Sequence, residues 1–152
     1  MKRHNSLIPL SRQHHETLIV AQLIKKGAPV YKGLPEDIEG KREYLLNFFK
    51  ADLVNHFEAE ERILIPIVSG KNKELDLFNE RIISDHKKIV NYIEEIGRRR
   101  NIKNNMNELG NLLSGHIRFE ERIYFELIQK ILPELLLNKL ENVLLLFLKT
   151  EN

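Results

Sequence analysis

Apolar residues recur along this chain at the helical period and almost nowhere in strict alternation. Over 73–99 the stripe is Leu75, Phe78, Ile82, His86, Ile89, Ile93 and Ile96, spaced by threes and fours, which predicts one long amphipathic helix. A second stripe runs through Leu45, Phe49, Leu53 or Asp52, His56, Glu60, Ile63 and Ile67, and a third through Leu109, Leu113, His116, Glu120, Ile123 and Leu127. These predict helices over 36–65 and 104–131, the first ended or kinked by Pro66 and the second stopped by Pro133. Glu36 and Asp37 place acid where the helix dipole favours it. A further helix is expected over 12–26, capped by Ser11 and stopped by Gly27, with Leu18, Ile19, Ala21, Leu23 and Ile24 making it apolar on more than one side. Residues 27–35 are dense in glycine and proline and read as a crossover loop, and 69–72 as a turn. A Leu-rich amphipathic stretch over 134–149 completes the pattern. The expected fold is all-α: an antiparallel four-helix bundle over about 7–132 with an additional C-terminal helix, in a single domain spanning 1–152.

Composition narrows the classes. The chain has 152 residues, of which 42% are apolar and 30% charged, enough for a real core and too apolar for a disordered segment. A net charge of only +2 argues against a nucleic-acid binder, and the Arg98-Arg99-Arg100 run reads as a solvated helix end favoured by the dipole. The absence of cysteine excludes disulfides, thiolate zinc sites and iron–sulfur clusters and fits a cytoplasmic protein. Leu7-Ile8-Pro9-Leu10 is too short for a signal-peptide core, and the longest apolar run, 143–148, falls far below a membrane span, so no membrane role is expected. The Leu-rich tail is expected to pack on the bundle or to pair two copies of the chain as a homodimer.

The polar residues that interrupt the apolar stripes carry the candidate chemistry. His56 and Glu60, and sixty residues on His116 and Glu120, stand in the same string, His-x-x-x-Glu-Glu-Arg-Ile. Residues one turn apart share a helix face, so each pair presents an imidazole and a carboxylate in one direction, toward a core. An unpaired buried carboxylate costs several kcal/mol, on the order of a lost ion's solvation, and a cation between the helices removes that cost. Nitrogen and carboxylate ligands suit iron, manganese or zinc. His86 stands mid-stripe on the third helix, and the first helix offers His14 and His15. Of the two, His15 is favoured here, with Leu18 and Ile19 one turn on, while His14, with Leu18 and Ala21, stays open. The candidate metal ligands are therefore His15, His14, His56, Glu60, His86, His116 and Glu120. Glu61 and Glu121 are read as surface carboxylates paired with Arg62 and Arg122, with ligation in place of Glu60 or Glu120 as the alternative. Glu58 and Asp85 either orient a ligand histidine or face solvent.

These residues resemble the hemerythrin-like, or HHE cation-binding, family over about 7–132. The pattern is one histidine on the first helix, His-x-x-x-Glu on the second, one histidine on the third and His-x-x-x-Glu on the fourth, and Asn55-His56-Phe57-Glu58-Ala59-Glu60-Glu61 is its most specific string. The resemblance implies a non-haem centre of two iron ions, bridged by both glutamates and an oxo or hydroxo ligand, with manganese or zinc as alternatives. The chain departs from the oxygen carriers of that family at Ile82, where they place a further histidine, so reversible oxygen carriage does not follow. The expected function is a metal-binding protein whose di-iron centre binds or reacts with a small molecule such as oxygen, peroxide or nitric oxide, or senses or handles iron. The competing expectation is a helical protein-interaction module in which any metal is purely structural.

Overall fold

Five helices account for most of the described residues. The structure, a computed structural model, describes the backbone of residues 1–151 and side chains through residue 149. We label the helices α1 (Ile8–Leu23), α2 (38–68), α3 (Lys73–Gly97), α4 (102–131) and α5 (Glu134–Glu151), and no strand occurs among the described residues. Asn72 caps α3, its side chain accepting the Leu75 N–H at 3.1 Å, with Glu74 and Asp76 in the first turn. Gly27 and Gly70 carry φ of +73° and +79°, the left-handed conformation that turns the chain out of α1 and α2. α4 packs chiefly against α1 and α3. At the α1–α4 crossing a Cβ on Gly110 would stand 2.7 Å from the Ala21 carbonyl oxygen, so only glycine permits this approach.

The bundle has two apolar layers. One holds Leu10, Leu64, Leu75, Ile82, Tyr124 and Phe125, and the other Ala21, Leu45, Leu53, Ile89, Leu109 and Leu113. Between them in the sequence of every bundle helix lies a buried histidine: His14, His56, His86 or His116. α5 lies on α2 around 54–64 and buries Leu137, Leu140 and Leu144 in the first layer, so the tail packs on the bundle. No helix among the described residues is long and apolar enough to cross a membrane.

Three features differ from the sequence expectation. α1 begins at Ile8, with Pro9 in its first turn where a missing N–H costs nothing, and Ser11 lies inside it as a donor to Glu121 and not as a cap. α2 runs through Pro66 to Val68, because Pro66 opens a fresh α-helical turn after a wider one. That wider turn is the third difference. π-type turns occur at Phe49–Leu53, Glu60–Leu64 and Glu120–Tyr124. Each holds one residue more than an α-turn and moves the buried face on by one position. Beyond Glu60 the core residues are therefore Leu64, Ile65 and Val68, with Ile63 and Ile67 only half buried. Beyond Glu120 they are Tyr124, Phe125 and Ile128, and Ile123 is 48% exposed.

Candidate metal centre

Six buried side chains meet where the two apolar layers join. His14 of α1, His56 and Glu60 of α2, His86 of α3, and His116 and Glu120 of α4 are each at most 3% exposed. His14, His56, Glu60 and Glu120 bring ligand atoms within 4.8 Å of one another, and Glu60 does the same with His86 and His116. Both carboxylates stand between two histidine pairs. Glu60 Oε1 is 3.4 Å from His56 Nε2 and 3.1 Å from His86 Nε2. Glu120 Oε1 is 3.4 Å from His14 Nε2 and 2.8 Å from His116 Nε2.

All four imidazoles turn Nε2 inward and hold Nδ1 with an outer acceptor. His86 Nδ1–H donates to Glu61 Oε2 at 2.8 Å and His14 Nδ1–H to Glu121 Oε2 at 3.1 Å. His116 Nδ1–H donates to Asp85 Oδ2 at 3.0 Å and His56 Nδ1–H to Gln13 Oε1 at 2.7 Å. An acceptor on one ring nitrogen fixes the tautomer that leaves a lone pair on the other, the arrangement a metal-binding histidine requires.

The inner atoms are poorly satisfied by one another. Glu60 Oε2, both Glu120 oxygens and His116 Nε2 are buried without a hydrogen-bond partner, although His116 Nε2 and Glu120 Oε1 are close. Their approach is short but not aligned for a hydrogen bond, which is what two donors aimed at a common third point produce. Leaving one such group unmade costs about 1–3 kcal/mol, more when it is charged. A cation held among these atoms would satisfy them, so the residues fit a metal site.

In the absence of a cation, protons must do this work. Burial alone lowers the His14 and His116 pKa values, but the neighbouring carboxylates outweigh it. Glu120 and Glu121 push His14 up to about 9, and Glu120 and Asp85 push His116 up to about 10. His86 is raised in the same way, against its burial, by Glu60 and Glu61. Burial opposes ionisation of Glu60, yet His56, Glu120 and His86 hold its carboxyl well below the usual range.

The structure corrects the sequence reading at several residues. His15 is exposed, and His14 takes the inward place. The buried stripe of α1 is Leu10, His14, Thr17 and Ala21, continued by Ile24 just past its end, whereas Leu18 and Ile19, the apolar neighbours that favour His15 in the sequence, are only half buried. Thr17 is the polar residue that hides this stripe. Glu61 and Glu121 lie outside the inner cluster, yet they are not partners of Arg62 and Arg122. They accept from His86 and His14, and Glu121 also faces Arg3 at 3.6 Å. Arg62 instead lies 4.0 Å from Glu58, which is a surface residue, while Asp85 orients His116. Gln13 was not singled out by sequence. Its signal is positional, since it precedes His14 as Asp85 precedes His86.

An apolar cleft of about 460 Å³, lined among others by Phe49, Val54, Phe57 and Val90, runs from the surface to Glu61 and His86. Phe57 stacks on the His86 ring with centroids 3.8 Å apart. A more polar cleft of about 380 Å³, lined by Gln13, Glu16, Thr17, Asp52 and His56, reaches the other histidine pair.

No curated protein and no solved structure matches the chain. The family model described as hemerythrin HHE cation binding domain matches residues 9–128, from the first turn of α1 to the last turns of α4. That match covers most of the chain and every residue of the inner cluster, and the protein belongs to the hemerythrin HHE cation-binding family.

Proposed function

We propose that this protein holds two iron ions, one between His14 and His56 and one between His86 and His116, with Glu60 and Glu120 reaching both. The observation that carries this reading is the set of buried, inward-facing and unpartnered atoms: Glu60 Oε2, both Glu120 oxygens and His116 Nε2. Imidazole nitrogen with carboxylate oxygen suits iron, and with no cysteine the chain offers no thiolate that would favour zinc or copper. When bound, the iron pair supplies redox-active cations that take up oxygen, peroxide or nitric oxide.

The chain's own residues do the rest. Two imidazoles and a share of both carboxylates would hold each iron, a donor set that would leave room for a small ligand. Ile82, one turn before His86, is fully buried and closes that side with hydrocarbon. The cleft past Phe49, Phe57 and Val90 is apolar, so it admits a neutral diatomic molecule more readily than an ion. Glu61, Glu121, Asp85 and Gln13 keep the four imidazoles in register for the cations.

The test is anaerobic reduction of iron-loaded protein, followed by mixing with oxygen, peroxide or nitric oxide under optical observation. Rapid spectral change with at least one of them is the expected result. A reduced form inert to all three for hours would leave a structural or storage role.

A further inference from the structure

The two halves of the bundle correspond residue by residue around the cluster. His14 corresponds to His86, His56 to His116, Glu60 to Glu120 and Glu61 to Glu121. The outer hydrogen bonds follow the same rule. The glutamate after each inner carboxylate takes the histidine of the neighbouring odd-numbered helix, Glu61 with His86 and Glu121 with His14. The residue before each of those histidines takes the remaining one, Asp85 with His116 and Gln13 with His56. At this last pair the correspondence breaks. One half places a carboxylate behind the imidazole and the other a neutral amide.

A second difference points the same way. Glu121 also accepts from Ser11 Oγ at 2.8 Å and faces the largely buried Arg3 at 3.6 Å, so its charge is shared. Asp85 has a cation nearby too, but Arg81 is 4.0 Å away and more than half exposed, where solvent screens it. The pair His86 and His116 is thus backed by two carboxylates, and the pair His14 and His56 by one shared carboxylate and one amide.

A carboxylate that accepts an imidazole N–H raises the electron density on the opposite nitrogen and strengthens its bond to a cation, and an amide does so less. We propose that the two metal positions are unequal by construction: the His86–His116 position, backed by Asp85, fills first and holds its ion, and the His14–His56 position, backed by Gln13, exchanges. This rests on the two-metal reading above. The polar cleft fits the same division, since it brings Glu16 and Asp52 to the side of His56 and gives a hydrated cation a path to the exchanging position. Partners of this kind set metal affinity over about 10- to 100-fold.

The experiment is an anaerobic titration of the metal-free full-length chain with cobalt(II), against a competing chelator. Visible absorption counts the steps, and paramagnetically shifted imidazole N–H signals show which histidines bind in each. Two steps are expected, separated by about 10- to 100-fold, with the His86 and His116 signals appearing first. Gln13→Glu should tighten the weaker step and bring the two together. Asp85→Asn should weaken the tighter step and leave the other in place. Both substitutions nearly preserve shape, and thermal melting checks that each variant folds. Two equal steps in the wild type, or an unchanged separation in Gln13→Glu, would overturn the inference while leaving two metals bound. Failure to bind two ions at all would overturn it together with the reading on which it rests.

Discussion

His14 Nε2 lies 3.1 Å from His56 Nε2, two ring nitrogens of different helices facing each other in a buried layer. Each ring's other nitrogen is committed outward as a donor, to Glu121 and to Gln13. If both imidazoles are neutral, two lone pairs point into the same space. Either a proton or a cation has to lie between them, and this choice governs how the protein responds to pH.

In the metal-free protein the proton fills that role. His14 and His116 are raised to about 9 and about 10 from an ordinary value of 6.5. A raised pKa contributes stability that is fully present below 6.5 and is lost as pH rises through the folded values. The metal-free melting temperature should therefore fall between about pH 7 and pH 10, while the metal-loaded protein, whose imidazoles are already neutral, stays level. Thermal melts of the two forms across this window check it.

At the acid end the order reverses. Protons compete with the metal for imidazole and carboxylate, so the loaded protein should release its ions and lose stability from about pH 6.5 towards 4. Glu60, with a depressed pKa, contributes stability above 4.5 that the metal-free form loses only below that value. The metal-free form should accordingly change less across the same interval. Metal release followed alongside melting is the measurement.

The distinction between inner and outer carboxylates gives a mutational prediction. Glu60→Ala and Glu120→Ala should each remove at least one metal and lower the melting temperature, since a ligand bound only by the folded state stabilises it. Glu61→Ala and Glu121→Ala should keep the site but weaken metal binding by about 10- to 100-fold. Metal content after dialysis against graded chelator separates the two classes.

These residues also show what the sequence discloses. The helical repeat places His56 with Glu60 and His116 with Glu120, because local spacing and burial agree there. Past each glutamate the repeat misleads by one residue, since a π-type turn leaves no mark in a pattern of apolar positions. Thus Leu64 and Tyr124 are buried where Ile63 and Ile123 were expected. The preference for His15 over His14 meets a related obstacle, since His14 is the buried ring: Thr17 is 2% exposed and belongs to the buried stripe, though its hydroxyl reads as surface. Its Oγ1–H donates to the Gln13 carbonyl, which makes that burial tolerable. The roles of Gln13 and Asp85 depend on contacts between α1 and α2 and between α3 and α4, which no local pattern carries.

The apolar cleft yields a prediction about access. Val90 lines it and is half buried. Val90→Trp should fill the passage and slow the reaction of the reduced protein with nitric oxide several-fold, with metal content unchanged. Ile82→His, which offers an imidazole one turn before His86, should slow the same reaction by occupying coordination space. Stopped-flow absorption measures both.

The most direct measurement of the central claim is the number of iron ions per chain after purification from iron-replete medium, in the wild type and in His14→Ala and His15→Ala. Two ions per chain are predicted for the wild type and for His15→Ala, with a loss of at least one in His14→Ala. Less than one ion per chain in the wild type, or loss in His15→Ala with retention in His14→Ala, would contradict the assignment of this buried cluster as a two-metal centre.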